Sequence, residues 1–409
     1  MGRPRPASAT CSGPIGRSTI VGGTGRSGRP GPLGRARIAA ATPSSTTPAE
    51  PVDEEATGPG PGYAAAGRRR DRGLSTVRME TARARARLQQ ALRRHLAAEG
   101  WDEVETPCLV PAPGMEPHIR PFEAELVPEG GRPRRTLYLH TSPEYAMKRL
   151  LAEGFRRIFQ LARVFRNGEI SATHNPEFTM LEMYRAGADD RGIMADLERA
   201  VEAGARALQP AGEARARWRG QDLDLAAPFE RRRVVDAFAA IGIDLAACDG
   251  DAGRLRAAAR ARGIDAGREG QGFDDAFFRV FLQAIEPGLG RPRPVYLVEW
   301  PASMAALARL YPADPRWALR FELYAAGLEL ANGFAELTDA REQRRRLLEE
   351  RELRRRLGRP VPPLDERFLE AVGRMPDAGG VALGLDRLLM LLTGAEAIDE
   401  VLLFPASGF

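Results

Sequence analysis

The sequence predicts an α+β fold in which an antiparallel β-sheet is flanked by helices. Three observations predict it. Strand-like runs outnumber any regular alternation of strand and helix, which argues against a doubly wound parallel sheet. Leu88, Leu92 and Leu96 recur at helical spacing. Turn signals such as Gly130-Gly131 separate neighbouring β-rich runs.

Length and composition bound the function. With 409 residues the chain has room for one large domain or two ordinary ones. It is 43% hydrophobic, and it holds no apolar run long enough to span a membrane. Lys+Arg total 60 and the net charge is +5, yet Lys148 is the only lysine. This arginine excess, with that of alanine and glycine, reads as compositional bias and does not argue for an acidic partner such as RNA. Cys11, Cys108 and Cys248 are far apart and form no CxxC pair, which excludes a disulfide framework or a zinc site and fits a reducing cytoplasm. His95, His118, His140 and His174 show no HExxH spacing.

Residues 1–75 are rich in Gly, Pro, Ser, Thr and Arg, with no acidic residue before Glu50. Such a segment buries too little apolar surface to offset its ordering entropy, so disorder is predicted. Its acid-poor start is like that of a transit peptide, but the glycines and prolines break the helix such a peptide needs. Ordered sequence begins near Arg83, with a helix stopped by Gly100. A strand over Trp101–Pro107 and β-rich runs over Ile119–Leu126 and Thr136–His140 follow. Then come a helix over Glu144–Glu153 and strands over Ile158–Arg166 and Phe178–Tyr184. The stretch 188–290 reads as an Ala- and Arg-rich helical insertion with no recognisable chemistry. Strands Val295–Trp300 and Arg320–Leu330, a helix near 339–357, strand Gly380–Leu385 and helix Asp386–Leu392 complete the order.

Chemistry concentrates in three segments. In the first, Arg166 ends a strand, where a planar fork suits a carboxylate or phosphate, and Glu182 and Tyr184 share a face of the returning strand. In the second, strand parity places Asn332, Phe334 and Glu336 on one face. Glu322 and Glu329 reach one divalent ion only if a turn at Gly327 intervenes; few carboxylates suit Mg²⁺ held chiefly by phosphates. In the third, the run Gly379–Gly384 lets a ligand approach the backbone, and Arg387 adds positive charge at the start of a helix.

The helix ending at Gly100 through Pro107, the stretch Phe165–Tyr184 and the stretch Gly380–Leu392 resemble, in this order, motifs 1, 2 and 3 of class II aminoacyl-tRNA synthetases, in particular the lysyl branch. The stretch Thr141-Ser142-Pro143-Glu144-Tyr145 is also lysyl-like, and the likeness spans residues 85–409. Within that branch the chain resembles the elongation factor P–lysine ligases, because residues 1–75 are unsuited to an anticodon-binding barrel. Ser303 and Ala382 also stand where the synthetases tend to carry glutamate and glycine. One departure is Gly168 in place of the motif 2 glutamate, with Glu169 following.

The resemblance implies activation of lysine or β-lysine by ATP with Mg²⁺, transfer to a lysine of elongation factor P, and a homodimer. It implies catalytic roles for Arg166 and Arg387, and Mg²⁺ ligation by Glu322 and Glu329. The ATP site would be lined by Arg166, Asn167, Gly168, Asn175, Phe178, Glu329, Leu330, Gly384 and Arg387. The amino acid would meet Ser142, Pro143 and Glu144 at its α-amino end, and Glu182, Tyr184, Asn332, Phe334 and Glu336 along its side chain, with Ala382 reshaping the pocket. The alternatives are an enzyme charging tRNA or another amine, and a catalytically silent paralogue.

Overall fold

The structure is a computed structural model that describes residues 76–408 apart from positions 210 and 306. The disorder expected for 1–75 lies outside the described residues. The elements begin α1 (Thr76–Ala98), β1 (Asp102–Glu103), β2 (Leu109–Val110), β3 (Phe122–Leu126), β4 (Arg135–Leu139), α2 (Glu144–Ala152), β5 (Arg157–Phe165), β6 (Glu177–Ala186) and α3 (Asp190–Leu208). Next are β7 (Arg215–Trp218), β8 (Gln221–Asp224), β9 (Glu230–Arg233), α4 (Val234–Ala240), α5 (Leu245–Cys248), α6 (Ala252–Arg260) and α7 (Phe273–Val280). The chain ends with β10 (Val295–Pro301), β11 (Trp317–Ala325), β12 (Leu328–Ala335), α8 (Ala340–Arg356), α9 (Glu366–Val372), β13 (Ala378–Gly384), α10 (Leu385–Thr393) and α11 (Ile398–Val401).

Eight strands form the main sheet in the order β1-β5-β6-β13-β12-β11-β10-β9. Its interior is antiparallel, as expected, while the two edge pairs, β1 with β5 and β9 with β10, are parallel. Two expectations need correction. The region 188–290 is not purely helical: it supplies β7, β8 and the edge strand β9. The charged repeat Glu230–Arg233 hides β9, since edge strands carry charge readily. The strand read as Arg320–Leu330 is a hairpin, broken where Ala326 and Gly327 take φ of +52° and +79°.

Alternation gives the sheet two unlike faces. Leu181, Met183, Phe321, Leu323, Val381 and Leu383 lie in one core with Leu88, Leu92 and Leu96 of α1, Leu197 and Val201 of α3, and Leu388 and Leu392 of α10. The opposite face carries the polar residues described below. Helix ends are set locally: Asp189 accepts from Gly192 N at 2.8 Å to start α3, and Asp339 accepts from Arg341 N at 2.8 Å to start α8. Asp386, at the start of α10, pairs with Arg85 of α1 and accepts from Thr179 N of β6 at 2.7 Å, so α10 is tied to both the outer helix and the sheet.

Leu88 is fully buried, and its methyl lies over Gly204 of α3, where an added Cβ would be 2.8 Å from Leu88 Cδ1. Leu88→Ala is expected to lower unfolding free energy by about 2–5 kcal/mol in urea titration. A loss below about 1 kcal/mol would show that α1 contributes little to the core.

Candidate active site

The site is built on strand register. Glu182 of β6 pairs with Ala382 of β13, Ala382 with Asn332 of β12, and Asn332 with Glu322 of β11. Two residues along each strand, Tyr184, Gly380, Phe334 and Arg320 form the next row. With a side-chain period of two, both rows point to the face away from the apolar core. Ala382, Asn332, Tyr184, Gly380, Phe334 and Arg320 of these rows line a cavity of about 820 Å³, a size suited to a small organic ligand.

One end of the cavity is acidic. Glu182 is fully buried and accepts from Ser142 Oγ at 2.6 Å and Tyr184 OH at 2.8 Å. Burial, and then the charge of Glu144, push its carboxyl up to about 8, against the pull of those hydrogen bonds. Ser142 also accepts from Glu144 N at 3.0 Å, at the start of α2. Glu144 and Glu336 both hold Lys148, each at 2.6 Å. Glu116 and Glu350 line the same end. Burial and Glu144 raise the Glu116 carboxyl, while burial and Glu116 push Glu350 up to about 8. Arg354 of α8 holds the loop bearing Glu116 by donating to the carbonyls of Met115 at 3.0 Å, Glu116 at 2.7 Å and Ile119 at 2.7 Å.

The other end is basic. Arg387, in the first turn of α10, donates to Glu329 O at 2.9 Å and to His174 Nε2 at 2.7 Å, and pairs with Glu329 Oε2 at 3.3 Å. Because a guanidinium only donates, Nε2 of His174 is the acceptor and its proton sits on Nδ1, facing Ser171 Oγ at 2.7 Å. Burial, and then the Arg387 charge, hold His174 down at about 4, so the ring stays neutral. Arg166 lies with its guanidinium carbon 5.2 Å from the Phe178 ring centre. Its remaining contacts are long, 3.5 Å to Thr141 O and 3.9 Å to Glu169 Oε2, so its fork remains directed into the cavity.

Most residues singled out from the sequence line this cavity: Ser142, Glu144, Arg166, Asn175, Phe178, Tyr184, Glu329, Leu330, Asn332, Phe334, Ala382, Gly384 and Arg387. Six do not form its wall. Glu182 and Glu336 are fully buried, Glu182 accepting from Tyr184 OH and Glu336 filling the space where a Cβ of Gly380 would stand, and Pro143 is the N-cap of α2. Asn167 and Gly168 form the motif 2 turn, with Asn167 N bonded to Arg120 O at 2.7 Å and Gly168 at φ +85°. That left-handed conformation suits glycine and leaves Glu169, not Gly168, in the wall. Glu322 is bound by Arg320 and Tyr324 on its own strand. Asn175 reaches the cavity but also holds backbone, donating to Glu177 O at 2.6 Å and accepting from Ala406 N at 2.9 Å.

Several wall residues were not legible as such: His174, Glu116, Glu350, and Asp274 of α7, which accepts from Ser303 Oγ at 2.9 Å. The region read as chemically silent therefore supplies one wall. The one available signal was Ser303, already unusual in its context.

An antiparallel sheet packed on α1, α3 and α10 by one face, with an arginine-bearing, glycine-rich cavity on the other, defines the catalytic domain of a class II aminoacyl-tRNA synthetase. The family model described as tRNA synthetases class II (D, K and N) matches residues 68–408, and the chain belongs to this family. Among its relatives, the elongation factor P--(R)-beta-lysine ligase of Salmonella paratyphi B is 39% identical over 322 residues, covering 78% of this chain and 93% of the relative. The proteins of the same name from Salmonella dublin and Salmonella heidelberg match with the same identity and coverage.

The Glu182 carboxyl is raised from 4.5 to about 8, so the folded state binds more protons than the unfolded state between those values. Stability contributed by this group is therefore lost as pH rises through that interval. Glu182→Gln is expected to flatten the fall of Tm with pH in thermal unfolding and to raise Tm near pH 8. An unchanged slope would show that Glu182 is ionised at little cost.

Proposed function

We propose that this protein activates lysine or β-lysine with ATP and transfers the aminoacyl group to a lysine side chain of elongation factor P. The single observation that carries this reading is the opposed polarity of one cavity, with carboxylates at one end and Arg166 and Arg387 at the other. A diamino acid joined to a nucleotide has the complementary charge pattern.

In the first step a carboxylate oxygen of the amino acid attacks the α-phosphorus of ATP. A phosphorus–oxygen bond forms, and the bond to pyrophosphate breaks. The nucleophile is already anionic, so no protein base is required, and catalysis rests on alignment and charge neutralisation. Arg166 would hold carboxylate and α-phosphate together, and Arg387 would pair with the γ-phosphate. Phe178 supplies a ring for adenine, and Leu330 and Gly384 allow close approach: a Cβ at Gly384 would meet no atom nearer than 3.6 Å. In the second step the acceptor amine attacks the acyl carbonyl, AMP leaves, and the nitrogen gives up a proton as the amide forms.

The residues present also fit Mg²⁺. Among the described residues no group of three or more side chains is set to hold a metal by itself, and a phosphate-borne Mg²⁺ needs only one or two carboxylates. Burial, then Glu329 and Glu322, push the Glu286 carboxyl up to about 7, a repulsion that a cation relieves. Glu329, with Glu322 behind it, would hold the ion, which supplies charge neutralisation on the phosphates.

The amino acid's α-amine would face Ser142 and Glu144, beside Pro143. Its side chain would lie along Phe334 towards Tyr184, Asn332, Glu182 and Glu336. The family's habit supports a homodimer through the region of Pro107, and the translation-factor acceptor supports a cytoplasmic location. No helix among the described residues is long and apolar enough to cross a membrane.

ATP–pyrophosphate exchange with α- and β-lysine, followed by mass spectrometry of elongation factor P, tests the reading. Exchange with a lysine isomer plus a mass gain on the factor is expected. Exchange without that gain points to another acceptor, and no exchange with either isomer would contradict the proposal. Glu336→Gln is expected to lower kcat/KM by about a hundredfold or more, since it unbalances a buried ion pair. Ala382→Gly is expected to shift preference towards α-lysine; unchanged relative rates would remove Ala382 as a determinant.

A further inference from the structure

Lys148 is the only lysine of the chain, it is fully buried, and no step of the reaction above uses it. Its ammonium lies 2.6 Å from Glu144 Oε1, one helical turn back on α2, and 2.6 Å from Glu336 Oε2, just beyond β12. Burial alone would lower its pKa, but the two carboxylates outweigh that effect and the net direction is up, so the group stays charged. Burying an ammonium is costly unless it is paired. A leucine or methionine would fill the same volume at lower cost, so retaining a cation here calls for a reason beyond packing.

That reason lies in what the carboxylates face. Glu144 lines the cavity, whereas Glu336 is fully buried against Gly380. A Cβ at Gly380 would collide with Glu336 Oε1 and the Tyr184 ring. Two carboxylates share one ammonium, and of the two Glu144 is the one that lines the cavity, where a cation can meet it. The chain of contacts continues from Glu144 N to Ser142 Oγ and on to Glu182 and Tyr184. The Phe368 ring, 6.0 Å from Nζ and stacked on Tyr145 at 3.9 Å, closes the far side.

We infer that Lys148 is a positioning residue, which by holding one oxygen each of Glu144 and Glu336 keeps the Glu144 carboxylate aimed at the amino group beside the reacting carboxylate. This rests on the lysine-activating reading. Lys148 thus acts through Glu144 and sets selectivity for a substrate with an amine at that position.

The test compares pyrophosphate exchange with lysine and with 6-aminohexanoate, which lacks that amine, in the full chain and its Lys148→Met variant. The variant is expected to lose at least about tenfold in kcat/KM for lysine while 6-aminohexanoate changes by less than about twofold. Because Glu336 would be left unpaired, the comparison is repeated by adding Lys148→Met to Glu336→Gln, where the same selective loss is expected. Equal losses for both substrates in both backgrounds would reduce Lys148 to a structural role and overturn the inference, as would unchanged activity with lysine. Wild-type protein that exchanges with none of α-lysine, β-lysine and 6-aminohexanoate overturns the lysine-activating reading itself and this inference with it.

Discussion

The structure depends on the register of four antiparallel strands, β6, β13, β12 and β11. A slip of one residue in any pair would turn its polar row into the apolar core. Glu182, Asn332 and Glu322 would then be buried among leucines, and Leu383 and Val381 would face the cavity. The core formed with α1, α3 and α10 therefore does more than stabilise the chain: it selects the one register in which the site exists. Gly380 serves the same register from the other side, because any side chain there would displace Glu336 and Tyr184.

The site is expensive as an isolated structure. Glu116, Glu182 and Glu350 are all raised, in each case chiefly by burial and next by a neighbouring carboxylate. Lys148 is the buried cation that offsets part of this charge. At the opposite end Arg387 and Arg166 meet a neutral His174. Such an arrangement stores repulsion that a ligand with ammonium groups at one end and phosphates at the other would relieve, so substrate binding and site stability are linked.

Much of this was legible in the sequence, for reasons that differ by residue. Arg166, Glu182, Tyr184, Asn332 and Arg387 lie in dense local motifs, and parity alone placed Glu182 with Tyr184 and Asn332 with Phe334. The turn at Gly327 was recognised as a condition for bringing Glu322 near Glu329, and the hairpin meets it. What stayed hidden depends on distant partners. Lys148 and Glu336 are brought together only by the packing of α2 against the sheet, and the loop bearing Glu116 is held by Arg354 of α8. The strand β9 was masked by its charge, and α7 by the absence of any motif; Asp274 gained its place through Ser303.

The central claim is that one cavity holds an aminoacyl-adenylate whose amino acid carries a side-chain amine. Calorimetric binding of a non-hydrolysable lysyl-sulfamoyl adenosine, set against its norleucyl counterpart, tests it most directly. The account predicts that the lysyl compound binds at least about a hundredfold more tightly, because the norleucyl compound leaves buried carboxylates unpaired. Equal affinity for the two would contradict it.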